Sequence, residues 1–188
     1  GVASGRMLPS GSLKPIEVAT MAYGHGISTS LLQLAHAYQA IANDGVMLPL
    51  SLTRRDAPPP ASEQRRLLSP KTAQEVKAMM ELVTQAGGTA RRAAVGGYRT
   101  AGKTGTAHKL DNGRYVDKYV ASFVGYAPAS QPRLVVAVMI DEPKVKSYYG
   151  GIVAAPVFAE IVGQVLPGLG VAPDVPGPAV AAAERPRG

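Results

Sequence analysis

Between Tyr98 and Asp141 the chain carries three extended runs whose connections are too short for a parallel crossover. Tyr98 to His108 is rich in threonine and small residues, and Tyr119 to Tyr126 and Arg133 to Asp141 follow it. Asp111-Asn112-Gly113 is a turn signal after the first run, and Pro128-Ala129-Ser130-Gln131-Pro132 joins the second to the third. A parallel neighbour needs a connection of roughly a dozen residues or more. The runs are therefore expected to pair antiparallel. Leu134 to Ile140 is apolar throughout, which predicts a central strand covered on both faces.

Helices are expected on both sides of this stretch. Ser30 followed by Gln33 reads as a capping box, and Leu31, Leu34, Ala35, Tyr38, Ile41 and Ala42 recur at helical spacing until Asn43-Asp44-Gly45. Ser69-Pro70 opens a second helix with Ala73, Val76, Met80 and Val83 inward, and Gly87-Gly88 stops it. The proline-rich segment Arg54 to Arg66 reads as an exposed loop. A last helix spans Ala155 to Leu166, with Phe158, Ile161, Val162 and Val165 on its inner side. The fold class is α+β (mixed α/β), an antiparallel β-sheet with helices packed on its faces. One domain is expected over residues 1–166, and the Pro/Gly/Ala-rich segment 167–188 is expected to be a disordered tail.

Composition narrows the function. With 46% apolar and 18% charged residues the chain can bury a core, and it has no cysteine, which excludes thiolate metal sites and a cysteine nucleophile. No run approaches the roughly 18 apolar residues of a membrane span, and the N-terminus has no signal-peptide pattern, so any anchor is expected outside this sequence. A net charge of +7 raises the question of nucleic acid, but the basic pairs Arg54-Arg55, Arg65-Arg66 and Arg91-Arg92 are scattered and have no aromatic residues interleaved for stacking. No nucleic-acid partner, cofactor or metal is expected. His25 and His36 lack partners at metal-ligand spacing, and Asp141 and Glu142, adjacent on a strand, point to opposite faces rather than forming an acid/base pair.

Gly97-Tyr98-Arg99-Thr100-Ala101-Gly102-Lys103-Thr104 matches the phosphate-binding P-loop as text. That chemistry needs a buried strand before the loop and a helix starting at the Lys-Thr, whose N-terminal amides hold the phosphates. Here the preceding segment Thr89-Ala90-Arg91-Arg92 is charged, and Gly105 and the turn at 111–113 leave no room for a helix. Nucleotide binding is the least favoured reading.

As a strand, Lys103-Thr104-Gly105-Thr106 makes chemical sense. Alternation puts the Thr104 and Thr106 hydroxyls on one face, and Gly105 leaves the backbone clear for a ligand lying alongside. Main-chain pairing can then hold an extended peptide while the hydroxyls hold its carboxylate, with Lys103 adding charge nearby. On the tetrapeptide alone, a surface lysine beside ordinary β-forming threonines is the simpler reading.

Thr100-Ala101-Gly102-Lys103-Thr104-Gly105-Thr106-Ala107 is, however, very similar to the block around the Lys-Thr-Gly box of class B penicillin-binding proteins, the peptidoglycan D,D-transpeptidases, with the cell-division type closest. Ala22 to Ala35 resembles the family's Gly-x-Gly, Thr-Pro-x-Gln-Leu-Ala block, with Ser30-Leu31 where Thr-Pro is usual. Val124-Gly125-Tyr126-Ala127-Pro128, Ile140 to Pro143, Tyr148-Tyr149-Gly150-Gly151 and Ala155-Pro156-Val157-Phe158 fit in the same order. The resemblance covers about residues 20 to 166 and implies the C-terminal part of a penicillin-binding transpeptidase domain, related in fold to serine β-lactamases. It implies that Lys103 and Thr106 are catalytic, Lys103 in the proton relay and the Thr106 amide as an oxyanion donor. Thr104, Gly105, Thr106, His108, Tyr119, Tyr148, Tyr149 and Gly150 would bind substrate, with His108 at the rim. For the tyrosines, packing on the sheet stands beside that role.

The resemblance further implies a stem peptide ending in D-Ala-D-Ala and β-lactam antibiotics as ligands, and the missing N-terminal part of the protein and membrane proteins of the division complex as partners. The location it implies is the periplasmic face of the bacterial inner membrane. A D,D-carboxypeptidase or serine β-lactamase, and a non-catalytic penicillin-binding or sensor domain, remain alternatives. The family's attacking serine is followed three residues later by a lysine. The residues at that position after the eleven serines are Met7, Leu13, Pro15, Leu31, Gln33, Arg54, Arg65, Thr72, Gly125, Arg133 and Gly150. None is lysine. Residues 1–188 by themselves are therefore expected to form no covalent adduct with a fluorescent penicillin on a denaturing gel, and a stoichiometric adduct would put the nucleophile in this chain.

Overall fold

The computed structural model describes residues 3–7, 9–144 and 147–175. Helices α1 (Pro15–Met21), α2 (Leu31–Ala42) and α3 (Pro70–Leu82) come first, together with the short strands β1 (Val46–Met47) and β2 (Arg65–Arg66). Strands β3 (Ala101–Asp111), β4 (Arg114–Ala127) and β5 (Leu134–Asp141) follow, then α4 (Gly150–Val153) and α5 (Ala155–Gly168).

Local chemistry sets the helix starts. The Ser30 hydroxyl accepts from the Gln33 amide at 3.1 Å while the Gln33 side chain accepts from the Ser30 amide at 2.9 Å, so two otherwise orphaned donors of α2 are satisfied reciprocally. The helix ends where Asp44 and Gly45 turn to φ 51° and 85°. Ser69 caps α3 by accepting from Thr72 at 3.1 Å, with Pro70 in the first turn. The loop expected over 54–66 is exposed, but its end is a strand: Arg65 and Arg66 pair with Met47 and Val46.

The sheet order is β3-β4-β5, antiparallel throughout. Two expectations change here. The first strands are longer than their apolar runs, because Asn112 and Gly113 take φ 48° and 78° and close a tight hairpin. Pairing therefore continues through polar residues to Asp111 and Arg114, with a bulge between His108 and Leu110. Second, β5 is not central: β4 is, and β5 lies at an edge of the described sheet. Its unbroken apolar run reports that α2 and α5 cover its two faces, which says nothing of neighbours along its edges. At its end Lys109 Nζ donates to Asp141 at 2.9 Å and to Glu142 at 2.8 Å, tying β3 to the end of β5 across β4.

One face of the sheet packs on α5 through Phe123, Phe158, Val162 and Leu166, with the Phe123 and Phe158 rings edge to face at 4.9 Å. The other packs on α2 and α3 through Ala42, Met80, Ala101 and Tyr126. The stretch Gly150–Gly168 is long and apolar enough to cross a membrane by composition alone, but its inner stripe is the core of this sheet.

The expected boundary at Leu166 also moves. α5 continues through Pro167 to Gly168, and residues 169–175 fold back on the start of β3. Val171 packs against the core, and its carbonyl accepts from the Tyr98 hydroxyl at 2.7 Å. Asp174 accepts from the Arg99 amide at 2.7 Å and from the Ser130 amide at 3.3 Å. One apolar residue and one anchored acid hold a segment that reads as Pro/Gly/Ala filler. Residues 176–188 lie outside the described residues. Partial burial pushes the Asp174 carboxyl up, but the hydrogen bonds from Ser130 and Arg99 together outweigh it, and the net shift is downward. A depressed carboxyl stabilises the fold above its unfolded pKa, and that contribution is lost as pH falls through the folded value. Asp174→Asn should therefore lower Tm of the complete protein at neutral pH, with the difference closing in acid below the ordinary carboxylate range. Equal Tm at pH 7 would contradict the anchor.

Candidate active site

The site is built on the outer edge of β3. Its inner edge pairs with β4, placing Thr104 opposite Phe123, Gly105 opposite Ser122 and Thr106 opposite Ala121. Among the described residues no strand pairs with the outer edge, so alternate amides and carbonyls of Lys103–His108 are left to a ligand. A strand running through Lys103 and Thr104 leaves no helix start there, which removes the P-loop reading.

Thr104 and Thr106 lie on one face, as alternation requires, and α4 abuts that face. The Gly150 amide donates to Thr106 Oγ1 at 3.2 Å, and Thr104 Oγ1 lies 3.5 Å from Thr89 Oγ1. An amide donating into the Thr106 oxygen leaves the hydroxyl proton free to point outward, so the group is pre-oriented as a donor to an anion. Gly150 itself is buried. Its amide supports Thr106 from behind. Only glycine fits: a Cβ at Gly150 would run into the carbonyls of Ser122 and Gly105, and one at Gly151 into the carbonyl of Thr89.

Lys103 and Gly105 point to the opposite face. Lys103 Nζ donates to the Thr104 carbonyl at 3.1 Å and forms no ion pair among the described residues, so its charge is uncompensated. Ser122 sits directly across from Gly105, and a Cβ on Gly105 would collide with its hydroxyl.

The aromatic residues join into one row. Tyr119 stacks on Tyr148 with ring centres 3.8 Å apart and planes 7° from parallel, and Tyr149 lies 4.7 Å beyond. His108 packs on Tyr119 at 4.3 Å and meets Tyr115 edge to face at 6.0 Å; Tyr115 in turn lies 6.4 Å from His25. A hydrogen bond donated by the Tyr149 phenol to the neighbouring Tyr148 oxygen stabilises its protonated form and holds its pKa above the ordinary value. His108 and the tyrosines expected at the cleft wall are thus in one another's company. No local pattern marks Tyr115, Arg6 or the loop Tyr23–Ser28, which border a groove of about 880 Å³ with Thr106 and His108, or Thr89, which lies beside Thr104. Their signal was absent because each reaches the site only through chain folding. His36 stays outside it, its Nε2 2.6 Å from the Leu48 carbonyl.

Comparison with known proteins agrees with this geometry. Residues 1–163 match the model of the penicillin binding protein transpeptidase domain. The chain belongs to that family. It is 50% identical over 164 residues to the probable peptidoglycan D,D-transpeptidase PenA of Neisseria gonorrhoeae, covering 87% of this chain and 28% of that protein. It is 45% identical over 160 residues to the peptidoglycan D,D-transpeptidase FtsI of Escherichia coli K12, covering 85% and 27%. The apo transpeptidase domain of Burkholderia pseudomallei penicillin-binding protein 3 superposes with a TM-score of 0.85 at 49% identity, covering 93% of this chain and 53% of that one. The chain thus spans little more than a quarter of the length of these curated relatives.

In the complete protein Thr106→Val should slow acylation by penicillin by roughly ten- to a hundredfold, the cost of one charge-assisted hydrogen bond, and Thr106→Ser should recover most of it. Stopped-flow acylation rates for the two variants test this. Equal rates for valine and serine would remove the hydroxyl from the site.

Proposed function

We propose that the complete protein is a serine-type peptidoglycan D,D-transpeptidase, and that this chain supplies the substrate-holding wall of its active site. The observation that carries the reading is the open edge of β3, where two threonine hydroxyls flank a side-chain-free residue and an uncompensated lysine stands alongside. A stem peptide ending in D-Ala-D-Ala lies along that edge with its carboxylate on Thr104 and Thr106. A serine outside this sequence attacks the penultimate carbonyl, and the Thr106 amide is one of two donors to the oxyanion. The bond to the terminal D-Ala breaks and that amine leaves with a proton relayed beside Lys103. An amine of a neighbouring stem peptide then attacks the ester, forming the cross-link and restoring the serine. β-Lactams enter the same route, with a ring amide in place of the scissile bond.

Tyr119, Tyr148 and Tyr149 wall the cleft with His108 at its rim. The enzyme works at the periplasmic face of the inner membrane, with membrane proteins of the division apparatus as partners. The PenA and FtsI relatives, named as peptidoglycan D,D-transpeptidases, support the reaction class.

Incubating the complete protein with fluorescent penicillin, then with a D-Ala-D-Ala donor and an amino acceptor, separates the readings. A transpeptidase gives one covalent penicillin per molecule and a new donor–acceptor amide by mass. Release of D-Ala without that amide would indicate a carboxypeptidase, steady penicillin hydrolysis a β-lactamase, and acylation without D-Ala release a sensor.

A further inference from the structure

Where β3 leaves the cleft, its ladder is interrupted. His108 pairs with Tyr119 and Leu110 with Tyr115, so one residue of β3, Lys109, stands against three of β4, Val116 to Lys118. Extra residues of this kind break the pairing locally and re-aim side chains, and they recur beside active sites. Backbone pairing therefore stops just beyond His108, the residue at the rim. The His108 ring gains little from its own polar contact, since Nδ1 lies 3.4 Å from the Val116 carbonyl, long for a hydrogen bond.

Side chains take over on both faces of the sheet. On the cleft face the His108 ring rests on Tyr119 at 4.3 Å, and Tyr119 stacks on Tyr148. On the other face Lys109 reaches across β4: its Nζ donates to the two Asp141 carboxylate oxygens at 2.9 and 3.1 Å and to Glu142 at 2.8 Å. An ammonium has three protons, and all three are matched. Glu142 is held in turn, its amide donating to the Tyr119 carbonyl at 2.9 Å and its second carboxylate oxygen lying 3.3 Å from Lys118 Nζ. The residue that receives Lys109 thus also grips the backbone of the tyrosine under His108. From Thr106 to Tyr115 every residue is exposed except Lys109, although lysine is ordinarily among the most exposed side chains. The contact is felt by both partners: Glu142 and Asp141 hold the Lys109 ammonium above its ordinary pKa, and Lys109 and Lys118 hold the Glu142 carboxyl below its own.

We infer that Lys109 is a positioning residue for acylation: its tie to Asp141 and Glu142 replaces the interrupted ladder and keeps His108 seated on Tyr119, so that the open edge of β3 and the row of rings meet the ligand in one fixed arrangement. The inference rests on the transpeptidase reading of the same site. Unlike Lys103, whose charge is uncompensated, Lys109 spends its charge on two carboxylates of its own chain and acts only through His108 and Tyr119.

The test uses the complete protein. Lys109→Met keeps the hydrocarbon stem and removes the charge, and it should lower the second-order rate of acylation by fluorescent penicillin roughly three- to fivefold, the size of a partly exposed ion pair. Lys109→Arg should restore most of the rate. Adding Glu142→Gln to Lys109→Met should slow acylation little further, because both changes remove one contact. Lys71→Met, which removes the exposed pair with Glu75 on α3, is the control and should leave the rate unchanged. A second readout follows His108 by NMR in isotope-labelled protein, its signal assigned by its loss in His108→Asn. Stacking on Tyr119 should shift that signal upfield, and Lys109→Met should return it toward the position of a free histidine while the His36 signal stays in place. An unchanged acylation rate in folded Lys109→Met would overturn the inference, as would a slowed rate with the His108 signal unmoved. If the unmodified protein takes up no penicillin covalently, the transpeptidase reading itself fails. If it does, and Lys109→Met is acylated equally fast, only the role of Lys109 falls.

Discussion

The cleft depends on a close approach of backbone to backbone at Gly150. The first turn of α4 rests directly on the β3–β4 ladder, against the carbonyls of Gly105 and Ser122, with no side chain between them. That contact brings the Gly150 amide to Thr106 and fixes the hydroxyl's direction before any ligand arrives. It also lets Tyr148 and Tyr149, just ahead of α4, reach the row of rings that continues through Tyr119 to His108. A single methyl group at Gly150 would separate helix from sheet and disturb both. Pre-orientation of this kind is what makes a hydrogen-bond donor effective toward a developing or bound anion, because no reorganisation remains to be done.

The rest of the fold holds the strand that this contact needs. β4 is central and carries a buried aromatic residue of each core, Phe123 toward α5 and Tyr126 toward α2 and α3. With one edge of β3 fixed to so well-packed a neighbour, the other edge can remain open without loss of order. The returning segment 169–175 pins the start of β3 through Asp174 and Tyr98, and the Lys109, Asp141 and Glu142 cluster ties the strands together near the other end. Exposed ion pairs of this sort contribute little individually; their effect here is on alignment.

Much of this was legible in the residues. The capping serines, the antiparallel pairing and the strand character of Lys103–Thr106 followed from local chemistry, and ordered blocks such as Tyr148-Tyr149-Gly150-Gly151 identified the family. What was not legible depended on distance in sequence. The apolar run at β5 reported coverage of its faces, so its place at the edge of the described sheet could not be read from it. The hairpin's outer half is polar and gave no alternation, although Asn112-Gly113 carried the turn. Gly150 belongs to one of those ordered blocks, but its position behind Thr106, and the placing of Arg6 and His25 beside β3, arise from chain crossings that no local pattern encodes.

A crystal structure of the complete transpeptidase domain acylated by a penicillin examines the central claim most directly. The account predicts the ligand's carboxylate within hydrogen-bond distance of both Thr104 Oγ1 and Thr106 Oγ1, its side-chain amide paired with the open edge of β3, and the Gly150 amide still donating to Thr106. A carboxylate bound away from both hydroxyls, with the β3 edge empty, would contradict it.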